Sequence, residues 1–173
     1  MNGEVLKKNN DTLNLEIGDL VVYPTYGVGQ IEEFDTHEID GDKHDFVMIN
    51  FKQDKMKLRI PMEKTAKSGL RKLSNKNRLS KALDVLKQKP TLKKDMWIKR
   101  AKEYEKNINS GDPVSIAEVV RDLHRGENQA EQSYSERQMY QAALERLAGE
   151  FAAIEDIDKD SAASKLEGIM TAA

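Results

Sequence analysis

At 173 residues, with 38% hydrophobic and 34% charged residues, a mean hydropathy of -0.71 and a net charge of -2, the chain has the make-up of a cytoplasmic protein of one ordinary or two small domains. The absence of cysteine excludes disulfides, thiolate catalysis and thiolate metal sites. No apolar run nears the roughly 18–20 residues that span a bilayer, and the polar start (Asn2, Gly3, Glu4, Lys7, Lys8, Asp11) lacks the apolar core of a signal peptide.

Residues 1–13 are polar and aperiodic and are expected to form a disordered tail. From Leu15 to Leu73 the pattern is strand-like. Residues 20–23 are a short apolar run ended by Pro24, and a second run over 28–37 follows a turn at Gly27. Asp40-Gly41 is a hairpin signal between two runs. Residues 46–51 are mostly apolar. Over 55–61, Met56, Leu58 and Ile60 alternate with Lys57 and Arg59, which places a basic pair on the outer face. Four to five short strands in this span suit a small, curled antiparallel barrel.

Beyond Leu73 the period becomes helical. Leu79, Ala82, Leu83 and Leu86 form one stripe, with Ser74 as a candidate cap and Pro90 beyond the end. A second helix is expected from near Asp95 to Asn109, stopped by Gly111. A third opens at Asp112-Pro113 and carries Ile116, Val119, Val120 and Leu123. A fourth begins near Ser135 with Tyr140, Ala143, Leu144, Leu147, Phe151 and Ile154. A fifth starts near Asp160 with Ala163, Leu166, Ile169 and Met170. Short connections imply a compact five-helix bundle. The expected class is α+β, divided into the tail, a β unit over 14–70 and a helical unit over 71–173, with separate cores joined around residues 68–74.

Catalytic signatures are missing. Gly27-Val28-Gly29 has Glu32 where a dinucleotide loop needs glycine, and a strand follows where a helix is required. His37, His44 and His124 are far apart and unaccompanied by metal-ligand spacing. Glu32-Glu33 and Asp156, Asp158 and Asp160 read as solvated charge. The expectation is a protein that is not an enzyme and takes no cofactor or metal.

The charge distribution is more informative than the total. Residues 1–51 carry 3 Lys/Arg against 11 Asp/Glu, residues 52–106 carry 19 against 6, and residues 107–173 carry 6 against 13. A basic middle between acidic flanks suits a polyanionic partner, although Lys-rich helices are often simply solvated. In the second helix Lys99, Lys102 and Lys106 fall within about 60° of one another, opposite Ala101, Tyr104 and Ile108. Trp97, the sole tryptophan, stands in the first turn among Lys93, Lys94, Lys99 and Arg100. By phase it belongs to the apolar stripe, so a core aromatic is one reading. The other is an apolar wedge in a basic rim, of the kind that enters distorted base steps.

The run from Leu15 to Pro24 (LEIGDLVVYP), followed by Tyr26-Gly27, closely resembles the opening of the CarD/CdnL family of bacterial transcription regulators. Lys57-Leu-Arg-Ile-Pro61, the stretch from Asn107 to Asp112 (NINSGD), and the stretch from Ile116 to Leu123 (IAEVVRDL) are similar to family motifs in the same order. The resemblance runs from about residue 15 to 170. It implies a Tudor-like amino-terminal barrel, related to the polymerase-binding domain of transcription-repair coupling factors, that docks on the RNA polymerase β subunit. It also implies a helical domain that contacts promoter DNA at the upstream edge of the bubble and stabilises the open complex. The family's β-contacting arginine corresponds to Arg59, within Lys57 to Pro61, and a second basic docking position to His37. The family's wedge corresponds to Trp97 and its basic contacts to Lys99 and Arg100, with Lys93, Lys94 and Lys102 completing the DNA-facing set. Lysine at 99, where arginine is common, keeps phosphate attraction and loses a bidentate fork. A monomer without membrane contact is expected. Two other readings stand beside this one: a polymerase-binding adaptor whose helical domain recruits another protein, and an RNA-binding module.

Overall fold

A computed structural model describes residues 14–91, 94–126 and 129–172. The expected tail over 1–13 and Lys93 lie outside them. Five antiparallel strands form one sheet: β1 (Leu20–Tyr23), β2 (Gly27–Ile39), β3 (Asp42–Phe51), β4 (Met56–Pro61) and β5 (Arg71–Lys72), in the order β4-β3-β2-β1-β5. The β2–β3 hairpin turns at Asp40 and Gly41, both at positive φ (52° and 83°), the pair of conformations a two-residue turn needs to match strand twist. A bulge between Ile31 and Glu33 bends β2.

The sheet differs from the expected barrel in one respect: it does not close. β4 and β5 are its two edges, and β5 offers only two residues, too few to bridge to β4. Val21, Ile31, Val47, Ile49, Phe51, Ile60 and Leu70 form the sheet's core.

Five helices follow: α1 (Lys76–Leu86), α2 (Trp97–Asn109), α3 (Pro113–Leu123), α4 (Tyr134–Glu155) and α5 (Lys159–Ala172). Asp112 caps α3 as its sequence suggests, its carboxylate accepting from the Ser115 N–H, with Pro113 in the first turn. The cap of α1 is Asn75 rather than Ser74. Asn75 Oδ1 accepts from the Arg78 N–H at 2.8 Å, while the Ser74 N–H turns to Glu150. Leu79, Leu86, Val119, Val120, Leu123, Leu147 and Leu166 centre a second cluster within the bundle.

The two clusters meet along a polar seam. Arg71 of β5 donates through Nε to the Gly111 carbonyl at 3.0 Å and through both Nη groups to Glu150 of α4, which is only 3% exposed. Arg146 of α4 donates to the Thr25 carbonyl between β1 and β2. Pro24 lies over Gly69 and Gly111, both at positive φ, so close that a Cβ at Gly111 would stand 3.2 Å from Pro24 Cγ. Lys159 of α5 reaches Gln53 at 2.8 Å.

Candidate functional site

Two surfaces collect the side chains singled out by the sequence. The first is the face of the sheet turned away from its core. Alternation in β4 turns Ile60 into the core, packs Met56 and Leu58 against it, and leaves Lys57 and Arg59 outward. Arg59 faces Met48 across the ladder and Pro61 faces Phe46, which in turn faces Asp35. The outward basic groups are held by carboxylates of β2. Lys57 Nζ lies 3.0 Å from Glu32, Arg59 Nη2 lies 3.3 Å from Asp35 Oδ2, and His37 Nε2 meets the same oxygen at 3.2 Å. The His37 ring stands edge-on to Phe46. Arg59 and His37 therefore converge on one carboxylate. These pairs are about half exposed, so each contributes at most about 1 kcal/mol and yields readily to a better partner. β4 pairs only with β3, and its other edge is open among the described residues.

The second surface is the start of α2. The approach to it is fixed from below. Asp122 of α3 accepts from the Thr91 N–H at 2.9 Å, and the neighbouring Arg121 donates to Asp122, Gln88 and Thr91 Oγ1. This buried pair ties down the α1–α2 connection just ahead of Lys94. Trp97 is half-buried and packs against the bundle core, its ring tilted on Tyr104 at 6.3 Å. It is thus neither a fully buried core residue nor a free one. The Arg100 guanidinium sits 5.2 Å from the Trp97 ring centroid, within cation–π range, and 3.9 Å from Glu136. Arg100 is accordingly turned inward, its side chain 23% exposed. Lys94, Lys99, Lys102 and Lys106 are exposed, and Lys99 has Asp95 at 3.7 Å.

Two neighbours of Trp97 escaped the sequence reading. Met96 is 77% exposed and Ile98 is 68% exposed. Their signal was present: Ile98 lies about 100° off the apolar stripe, a phase at which helices carry polar residues.

Comparison with known proteins covers both the sheet and the bundle. Residues 15–74 match the CarD-like/TRCF RID domain, and residues 81–167 match the CarD C-terminal domain. YdeB of Bacillus subtilis (strain 168), named as a candidate transcription factor, is 30% identical over 142 residues, spanning 82% of this chain and 93% of its own length. The solution NMR structure of the 72-residue N-terminal domain of Myxococcus xanthus CarD shares 36% identity, covering 34% of this chain and 77% of that one with a TM-score of 0.30. Two domain matches in the family's order and a relative aligned over most of both chains place the protein in the CarD family of transcription factors, with an RNA polymerase interacting domain at its amino-terminal side.

Proposed function

We propose that this protein docks on the β subunit of RNA polymerase and contacts promoter DNA at the upstream edge of the bubble, stabilising the open complex. The outer sheet face supplies the docking residues Arg59, Lys57 and Pro61. The start of α2 supplies Trp97, Lys99, Arg100, Lys102 and Lys94, with Lys93 beside them in the chain. The observation that carries the reading is the half-open indole of Trp97 set among exposed lysines. Docking keeps a weak DNA binder beside its target, so modest affinity is enough. Only a contact stronger on unstacked DNA than on paired DNA can shift the closed–open equilibrium. A difference of about 1.4 kcal/mol shifts it tenfold. No base-reading set accompanies the lysines, so the DNA contact is structure-specific. The protein acts as a cytoplasmic monomer, without catalysis or cofactor.

The test is the lifetime of open complexes on one promoter with and without the protein. A longer lifetime is expected, and an unchanged one removes the proposal. One observation favours an adaptor instead: Arg100 and part of Trp97 are engaged within the bundle. Loss of promoter crosslinks near α2, with polymerase binding intact, would mark that case.

A further inference from the structure

Asp35 is shared on the outer sheet face. Its Oδ2 meets Arg59 Nη2 at 3.3 Å and His37 Nε2 at 3.2 Å. Its Oδ1 is buried and accepts no hydrogen bond among the described residues. A single carboxylate oxygen therefore serves both neighbours, and the carboxylate is short of donors. Asp35 and His37 alternate onto one face of β2, and the His37 side chain is 47% exposed. Around the imidazole stand Asp35 on its own strand, His44 opposite it on β3 with Asp42 one pair further along, and Arg59 on β4. The turn over Met62–Lys64, which packs on β3, adds the exposed Glu63 and Lys64. Asp35 makes the close contact, and a charge on His44 would oppose one on His37.

The balance between Arg59 and His37 is set by proton uptake. An imidazole changes charge between about pH 5 and 8, whereas a guanidinium stays charged throughout. A neutral ring offers Asp35 at most one ordinary hydrogen bond, so the carboxylate draws on Arg59. A charged ring offers a charge-assisted bond and takes over part of that demand. Arg59 is then held less firmly, and the face gains one positive charge.

We propose that His37 makes this face sensitive to pH: the charged imidazole competes with Arg59 for Asp35 and frees Arg59 for an acidic group of the docking partner. This rests on the polymerase-docking reading above. Capture therefore strengthens as the pH falls through the imidazole range.

The experiment measures capture of the full chain by immobilised RNA polymerase core enzyme between about pH 6 and 8 at constant salt. The polymerase titrates as well, so the quantity read is the ratio of wild-type to variant affinity at each pH. Against His37→Gln that ratio should be near one at the alkaline end and rise about three- to fivefold at the acid end, as a partly exposed charge pair allows. His37→Arg, charged throughout, should be captured at the acid-end strength at both ends. His44→Gln should leave the dependence in place. A ratio to His37→Gln that stays flat overturns the inference, and so does a dependence that follows His44 instead. A flat ratio while Arg59→Glu escapes capture removes this inference alone. If Arg59→Glu is captured as well as the wild type, the docking reading falls and takes the inference with it.

Discussion

Arg71 and Glu150, 79 residues apart, form a two-pronged ion pair: Nη1 donates to Oε1 at 2.8 Å and Nη2 to Oε2 at 2.7 Å. Oε1 also accepts from the Ser74 N–H. One carboxylate of α4 thus holds the last strand and the chain leading to α1. Removing either partner leaves the other charge poorly solvated. Arg71→Ala should therefore destabilise the protein by about 3 kcal/mol, because it strands the almost fully buried Glu150 carboxylate, with Glu150→Ala somewhat less costly because the Arg71 it leaves behind is the more exposed partner. Chemical denaturation measures both, and limited proteolysis should show new cleavage around residues 68–75.

Arg59→Glu should abolish capture of the β subunit while the circular dichroism spectrum and melting midpoint stay as they are. Arg59 is about half exposed, and its ion pair to Asp35 is a weak surface contact. Asp35→Asn is expected to act in the opposite direction, releasing Arg59 and strengthening capture. If Arg59→Glu is captured as well as the wild type, Arg59 is not a docking residue.

Lys99 and Lys102 should behave alike in DNA binding and differently from Arg100. Substituting either lysine by Gln should weaken binding about equally across sequences and reduce the salt slope by about one per lost phosphate contact. Arg100→Gln should also lower stability, since Arg100 bridges Trp97 and Glu136. Binding titrations over a salt series, read beside melting curves, separate the two behaviours.

Trp97→Ala should cost about 1–3 kcal/mol, less than the ~3–5 kcal/mol of a fully buried aromatic, because the ring only half enters the core. Its fluorescence should be intermediate in colour and partly quenched by acrylamide. Open complexes formed with the variant should decay faster although β binding persists. A fully protected, blue-shifted emission would falsify any role for the ring at DNA.

Burial near Tyr140 holds the His124 imidazole below its ordinary pKa of 6.5, against the pull of Glu167 and reinforced by Arg125. The unfolded chain then takes up the proton first. Stability from this group is present above about pH 6.5 and falls as the pH drops below it. Tyr140 is pushed well above its usual range by the same burial and by its hydrogen bond to Glu167, so it stays a donor throughout. His124→Gln should flatten the stability profile between about pH 7 and pH 5, measured by denaturation at each pH.

Local chemistry was legible wherever a single short stretch decides the structure. Asp40-Gly41 specifies its turn, Asp112-Pro113 starts its helix, and the alternation of β4 assigns Lys57 and Arg59 to the outer face. What depends on partners far along the chain was not. Nothing near Glu150 in sequence reveals that its partner is Arg71. An open sheet and a closed barrel share one strand pattern and differ only in the length of β5. On α2 the basic face was visible from spacing. The inward turn of Arg100 required Glu136, which belongs to α4.

Pro24 over Gly111 adds one consequence. The proline ring occupies the volume a side chain at 111 would need, at a backbone angle that L residues resist. The contact leaves no spare room at this point of the junction between the sheet and the bundle. A methyl group at Gly111 lies on neither candidate surface, yet it is expected to strain the backbone there and push Pro24 outward. If the proposed function holds, such a protein is expected to capture polymerase and bind DNA in separate assays and to fail where both contacts must form together.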